Sequence, residues 1–102
     1  MIRVIGGDFK KNGSAKLIRR KGEVAALEVP VSFMKNKLYV PKNIRSIMEE
    51  THLGRSIVLN ISFSDDRYAL LRVSGREAEE IINLGVTVER AVSEPNSEES
   101  DI

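Results

Sequence analysis

Ser56-Ile57-Val58-Leu59-Asn60-Ile61-Ser62-Phe63-Ser64-Asp65-Asp66-Arg67-Tyr68-Ala69-Leu70-Leu71-Arg72-Val73, residues 56–73, is the stretch whose reading decides the fold class. Ile57, Leu59, Ile61 and Phe63 alternate with Val58, Asn60 and Ser62, the period-two pattern of a strand with one buried face. Asp65-Asp66 turns the chain and Tyr68 to Val73 returns, so the segment predicts a β-hairpin. The period then changes. Ser74-Gly75-Arg76-Glu77 has the spacing of a capping box, in which the serine hydroxyl accepts from the Glu77 amide and the glutamate reaches back. Glu77, Glu79 and Glu80 suit the positive end of a helix, Ala78, Ile81 and Ile82 form its apolar stripe, and Gly85 supplies a left-handed stop. An amphipathic helix over residues 75–85 is expected to follow the hairpin.

Upstream of this point the period remains two. Residues 2–6 are a short apolar start, and Lys11-Asn12-Gly13-Ser14 predicts a turn because Asn and Gly tolerate positive φ. Ala15 to Arg20 is the returning strand, and Lys21-Gly22 turns again. Ala25, Leu27, Val29, Val31 and Phe33 then alternate on one face, which places Phe33 in the core. Pro30 cannot donate to a ladder, so this strand is expected at an edge or bent at the proline. Asn36 predicts a further turn, and Lys37 to Val40 a short strand stopped by Pro41. Residues 43–53 fit two patterns, because Ile44, Ile47 and Met48 have helical spacing while alternation fits nearly as well. Residues 86–92 alternate weakly and suggest another strand. The organisation is one α+β domain over residues 1–92 and a polar, acidic tail over 93–102 that is expected to be disordered.

The chain has 102 residues, 41% hydrophobic, which suffices for one modest core. It has no cysteine, so disulfides, thiolate nucleophiles and Cys-based zinc or iron–sulfur sites are excluded. No apolar run is long enough for a membrane span or a signal peptide, and a cytoplasmic protein is expected. His52 is the only histidine, with no second imidazole for a metal site and no evident catalytic partners. Asp65-Asp66 lacks the spacing of a calcium loop, and Gly6-Gly7 lacks the Gly-Lys-Ser/Thr of a phosphate loop. No catalytic, metal or cofactor site is expected, and the protein is expected not to be an enzyme.

The net charge of +1 conceals a division. Residues 1–45 carry eleven Lys and Arg against three acids, a net of +8, whereas residues 46–102 carry five Arg against twelve acids, a net of −7. Such asymmetry points to an anionic partner or to internal pairing. Lys16, Arg19, Arg20, Lys21, Lys35, Lys37, Lys42 and Arg45 are therefore candidate anion contacts. Phe9, Phe33 and Tyr39 lie beside them in sequence, where they could stack on bases or dip into an interface.

Two resemblances follow from these segments. Residues 11–84 resemble the small bacterial pleckstrin-homology-like domains. The matching stretches are Lys11-Asn12-Gly13-Ser14-Ala15-Lys16-Leu17, Leu38-Tyr39-Val40-Pro41 running into Asn43-Ile44-Arg45-Ser46-Ile47, the hairpin at 63–67 and the helix at 76–82. This likeness implies a strongly bent antiparallel β-sheet or partial β-barrel of about six or seven strands, with one C-terminal α-helix and residues 44–49 as a strand. It implies a non-catalytic module binding a protein or an anionic lipid surface. Residues 29–73, around Val40-Pro41-Lys42-Asn43-Ile44-Arg45, are also similar to AbrB-type swapped-hairpin regulators. That likeness implies a short helix after Arg45 and an intertwined dimer contacting DNA phosphates through Lys42 and Arg45. Arg55 stands where that family carries an acid.

Overall fold

The computed structural model describes residues 1–84, and the expected strand at 86–92 and tail at 93–102 lie outside the described residues. Seven strands form one antiparallel sheet: β1 (Ile2–Gly7), β2 (Ser14–Arg20), β3 (Glu23–Ser32), β4 (Lys35–Tyr39), β5 (Ile44–Leu53), β6 (Ser56–Phe63) and β7 (Tyr68–Ser74). A helix, α1, follows over residues 75–84. The strand order is β4-β3-β2-β1-β7-β6-β5, two meanders joined where β1 pairs with β7.

This order forces the sheet to curl. The outermost strands, β4 and β5, are six strand spacings apart, about 29 Å across a flat sheet. They are joined by Val40 and the 3-10 turn Pro41–Asn43 alone, a link that reaches about 18 Å at full extension. The seven strands accordingly form a strongly curled half-barrel, and with α1 the fold is α+β.

One apolar core fills the curl. Leu59, Ile61 and Phe63 of β6 and Ala69, Leu71 and Val73 of β7 are buried, as their alternation predicts. Val4, Leu27, Val29, Tyr39 and Ile44 meet them from the other strands, and Ala78, Ile81 and Leu84 bring one face of α1 onto the same cluster. Both halves of the capping box form: the Ser74 amide donates to Glu77 Oε1 at 2.8 Å, and the Glu77 amide to Ser74 Oγ at 3.2 Å. The Lys21-Gly22 turn has φ values of 54° and 82°, and Asp66 turns β6 into β7 at φ 67°. Gly7 ends β1 at φ 95°, and a β-carbon there would lie 2.3 Å from the Tyr68 carbonyl oxygen, so the position excludes every other residue.

Several expectations change. Residues 44–53 are strand, so the short helix implied by the swapped-hairpin likeness is not present. The β3–β4 turn falls at Phe33-Met34, with Met34 at φ 65°, and Asn36 lies inside β4. Phe33 is consequently 78% exposed rather than in the core: β3 ends at Ser32, one residue before the alternation reaches it. β3 is flanked by β2 and β4, so Pro30 marks a bend and not an edge. Its β3–β4 register shifts between Pro30 and Ser32, and its carbonyl accepts the Lys10 amide at 2.9 Å. Asn12 does take φ 70°, within a longer connection over residues 8–13 that holds Val4 through Asn12 N–Val4 O and Val4 N–Gly13 O bonds.

The ring of Tyr39, at the end of β4, stacks on Phe63, at the end of β6, with centroids 3.7 Å apart and planes 12° from parallel. Phe9 meets both rings edge-on, at 6.0 and 5.7 Å. Phe63→Ala is expected to cost about 3–5 kcal/mol in a urea denaturation series, because it removes the ring on which both other aromatics rest.

Candidate functional site

Of the eight candidate cations, three are paired with carboxylates. Arg19 of β2 pairs with Glu80 of α1. Lys37 of β4 pairs with Asp65 at 3.1 Å, and Arg45 of β5 with Asp66 at 3.2 Å while also donating to the Ser64 carbonyl. The other five, Lys16, Arg20, Lys21, Lys35 and Lys42, have no carboxylate partner among the described residues and are exposed. Lys16 stands on β2 opposite Glu28 of β3. Arg20 ends β2 and Lys21 opens the β2–β3 turn, and Gly22 of that turn lines a cleft with Pro41, just before Lys42. Lys35 stands at the start of β4.

Two of the three proposed stacking aromatics are withdrawn from any surface. Phe9 is 6% and Tyr39 2% exposed, both in the core cluster. The Tyr39 hydroxyl donates to Asp65 Oδ2 at 2.8 Å. Burial and this carboxylate raise the tyrosine well above its ordinary value of 10.0. Asp65 is lowered below 3.8: its partial burial acts the other way, but hydrogen bonds from Tyr39, Lys37 and the Arg67 amide outweigh it. This is a structural lock across the mouth of the curl, tying β4 to the β6–β7 turn. His52 is exposed and pairs with Glu49 at 2.7 Å on the same strand. Among the described residues no group of three or more His, Asp or Glu converges as a metal site.

The tip of the β3–β4 hairpin is different. Met34 is 88% and Phe33 78% exposed, two large apolar side chains side by side on a turn. Met34 adopts the left-handed region, which costs a residue with a β-carbon about 1–2 kcal/mol. Lys10 Nζ lies 5.4 Å from the Phe33 ring centroid. The Lys10 amide bond to Pro30 ties the 8–13 connection, which carries exposed Lys10 and Lys11, to β3 just before the tip, and exposed Lys35 directly follows Met34 in the chain. The nearest acid in that connection, Asp8, is turned away: its carboxylate accepts the Tyr68 amide at 3.0 Å. Two apolar side chains are thus exposed at the hairpin tip, with the Lys10 ammonium over the Phe33 ring. Lys10, Lys11 and Met34 were not singled out by sequence pattern. The available signal was a turn without Gly, Asn or Asp at its left-handed position.

No protein-family model, curated protein or solved structure matches the chain. The fold places it among α+β proteins built on a curled antiparallel sheet. Among the described residues no helix is long and apolar enough to cross a membrane.

The Tyr39–Asp65 lock sets a pH dependence at both ends of the scale. Asp65 is lowered in the folded state, so its contribution is present above pH 3.8 and is lost as pH falls through the folded value. Tyr39 is raised, so its contribution is present below pH 10.0 and is lost as pH climbs beyond. In thermal denaturation against pH, Asp65→Asn is expected to flatten the acid limb and Tyr39→Phe the alkaline limb. Glu77, also lowered because hydrogen bonds from the Met1 amino group and Ser74 outweigh its partial burial, keeps part of the acid limb in both variants.

Proposed function

We propose that the chain is a non-catalytic binding module, of the pleckstrin-homology-like kind its sequence resembles, that docks on anionic lipid surfaces. The observation that carries this reading is the β3–β4 tip, with Phe33 and Met34 exposed, the Lys10 ammonium over the Phe33 ring and exposed Lys35 next in the chain. Water-exposed apolar side chains gain free energy by entering the interfacial region of a bilayer, and lysines around them meet acidic headgroups. Either half alone is ordinary; together they match a surface that is apolar below and negatively charged above. The strand at 44–53 favours this reading over a swapped-hairpin DNA-binding dimer, whose likeness implies a helix there. A cytoplasmic, bacterial setting is part of the proposal.

Sedimentation with phosphatidylcholine vesicles, with and without phosphatidylserine, tests it. Wild-type protein is expected to pellet with the serine-containing vesicles. A Phe33→Ala, Met34→Ala double variant is expected to bind at least about tenfold more weakly, the factor that about 1.4 kcal/mol of lost apolar burial represents. Lys10→Glu with Lys35→Glu should remove the phosphatidylserine dependence, at about 1 kcal/mol for each lysine. Equal binding by wild type and the tip variant, or none by either, overturns the proposal. Duplex DNA binding that weakens steeply with salt and ignores the tip variant would move the reading to nucleic acid.

Met34→Gly separates function from folding. It relieves the left-handed backbone, so a stability gain of about 1 kcal/mol in urea denaturation is expected together with weaker vesicle binding.

A further inference from the structure

Three arginines that belong to neither the hairpin tip nor the candidate cations converge at the opposite strand ends. Arg3 of β1 and Arg72 of β7 are directly opposite one another in the ladder, and Arg72 is in turn opposite Val58 of β6. Arg55, from the β5–β6 turn, lines the same cavity of about 440 Å³. Like charges directly opposite on neighbouring strands repel, whereas an opposite charge there would stabilise the pair. Yet none of the three has a carboxylate partner among the described residues, and all are exposed; the one polar contact of Arg3 is with the Met1 sulfur, at 3.8 Å.

The only acid in the cavity is committed elsewhere. Glu77 accepts the Ser74 amide through Oε1 and the Met1 amino group through Oε2, both at 2.8 Å. Ser56 and Ser74, opposite each other on β6 and β7, add two hydroxyls to the lining. Ser74 Oγ accepts the Glu77 amide and its hydroxyl also bonds the Glu77 carboxylate, so Ser56 is the hydroxyl of the lining with no side-chain partner among the described residues.

We propose that this cavity is a binding site for a phosphate monoester. Guanidinium groups bind phosphate oxygens in a bidentate, charge-assisted fork, and a dianionic monoester accepts from several such forks at once. The volume exceeds what a bare phosphate fills and leaves room for the group that carries it. Bound anion removes the Arg3–Arg72 repulsion, so ligand binding and sheet stability are linked. The site is independent of the hairpin tip and stands or falls separately from vesicle docking through Phe33 and Met34.

Titration calorimetry and thermal denaturation of the full chain test the site, with inorganic phosphate, glucose 6-phosphate and phosphatidic acid vesicles as probes. Wild type is expected to gain thermal stability with phosphate or glucose 6-phosphate, and to gain none with chloride at matched ionic strength. Arg72→Gln is expected to unfold at the same or a higher temperature than wild type without ligand, while binding the phosphates about tenfold more weakly or worse. Arg55→Gln, on a turn outside the ladder, should weaken binding with little change in unliganded stability. Arginine-dependent binding of the soluble phosphates identifies a small-molecule source. Arginine-dependent binding confined to phosphatidic acid vesicles, measured in the Phe33→Ala, Met34→Ala background to silence the tip, identifies a lipid headgroup. No saturable binding of any probe, or binding unchanged when Arg3, Arg55 and Arg72 are all replaced by Gln, overturns the proposal.

Discussion

The connection from Tyr39 to Ile44 is the constraint on which the rest of the structure depends. It joins the two ends of the strand order, β4 and β5, through four residues. Those residues cannot cover the width of a flat seven-stranded sheet, so the sheet must roll until its outer strands come into line. Pro41 at the start of the 3-10 turn suits such a link, since its fixed φ lowers the entropy of holding a short bridge in one shape. Rolling the sheet turns one face into a trough, and that trough is the core. It also leaves the trough open along one side, which α1 covers by burying Ala78, Ile81 and Leu84.

Closing the curl brings remote side chains together, and this pairs three cations of the basic half with acids of the other. Arg19 and Glu80 are separated by 61 residues, yet they join β2 to the helix that covers it. Lys37 and Arg45, one on each side of the short link, find Asp65 and Asp66 on the β6–β7 turn. Pairs this exposed contribute little stability each, at most about 1 kcal/mol. Tyr39 is the firmer part of the closure, because its ring is buried against Phe63 while its hydroxyl reaches the carboxylate at the rim. The basic half is therefore partly neutralised by the acidic half. The cations of that half without a carboxylate partner among the described residues lie on β1, the 8–13 connection, β2 and its turn into β3, the β4–β5 link and the start of β4.

Local pattern made the hairpin at 57–73, the capping box at Ser74 and the Lys21-Gly22 turn legible, because each is decided by residues within a few positions of one another. Where the outcome depended on distant residues, pattern failed. Residues 43–53 fit helix and strand alike; all but Asn43 are strand because β6 offers a ladder from Ile44 to Leu53. Alternation placed Phe33 in the core, since periodicity carries no information on where a strand stops. Asn36 attracted the turn by its intrinsic preference, whereas the turn falls at Phe33-Met34, after a register shift between Pro30 and Ser32. Charge counting found the basic half but could not see that Arg3 and Arg72, from opposite halves of the division, would be ladder partners. That meeting rests on β1 pairing with β7, a contact between the two ends of the sheet-forming segment.

Four residues other than glycine have positive φ: Asn12, Lys21, Met34 and Asp66. Asn and Asp adopt that region readily, and Lys21 stands with Gly22 in a two-residue turn whose twist requires positive φ at both positions. Met34 has no such reason. Nothing in the fold asks for a long apolar side chain at a strained, exposed position, where Gly or Asn would hold the same turn at lower free energy. Arg3 and Arg72 break a local rule of the same kind, since a carboxylate in place of either would strengthen the ladder. A foldable sequence is one whose local choices agree with its global structure, and departures from that agreement concentrate where something other than folding is served. In this chain the two departures fall at opposite ends of the strands. One presents apolar side chains beside the Lys10 ammonium, the other guanidinium groups with no carboxylate partner among the described residues, and these are the features that the proposed anionic surface and phosphate monoester would engage.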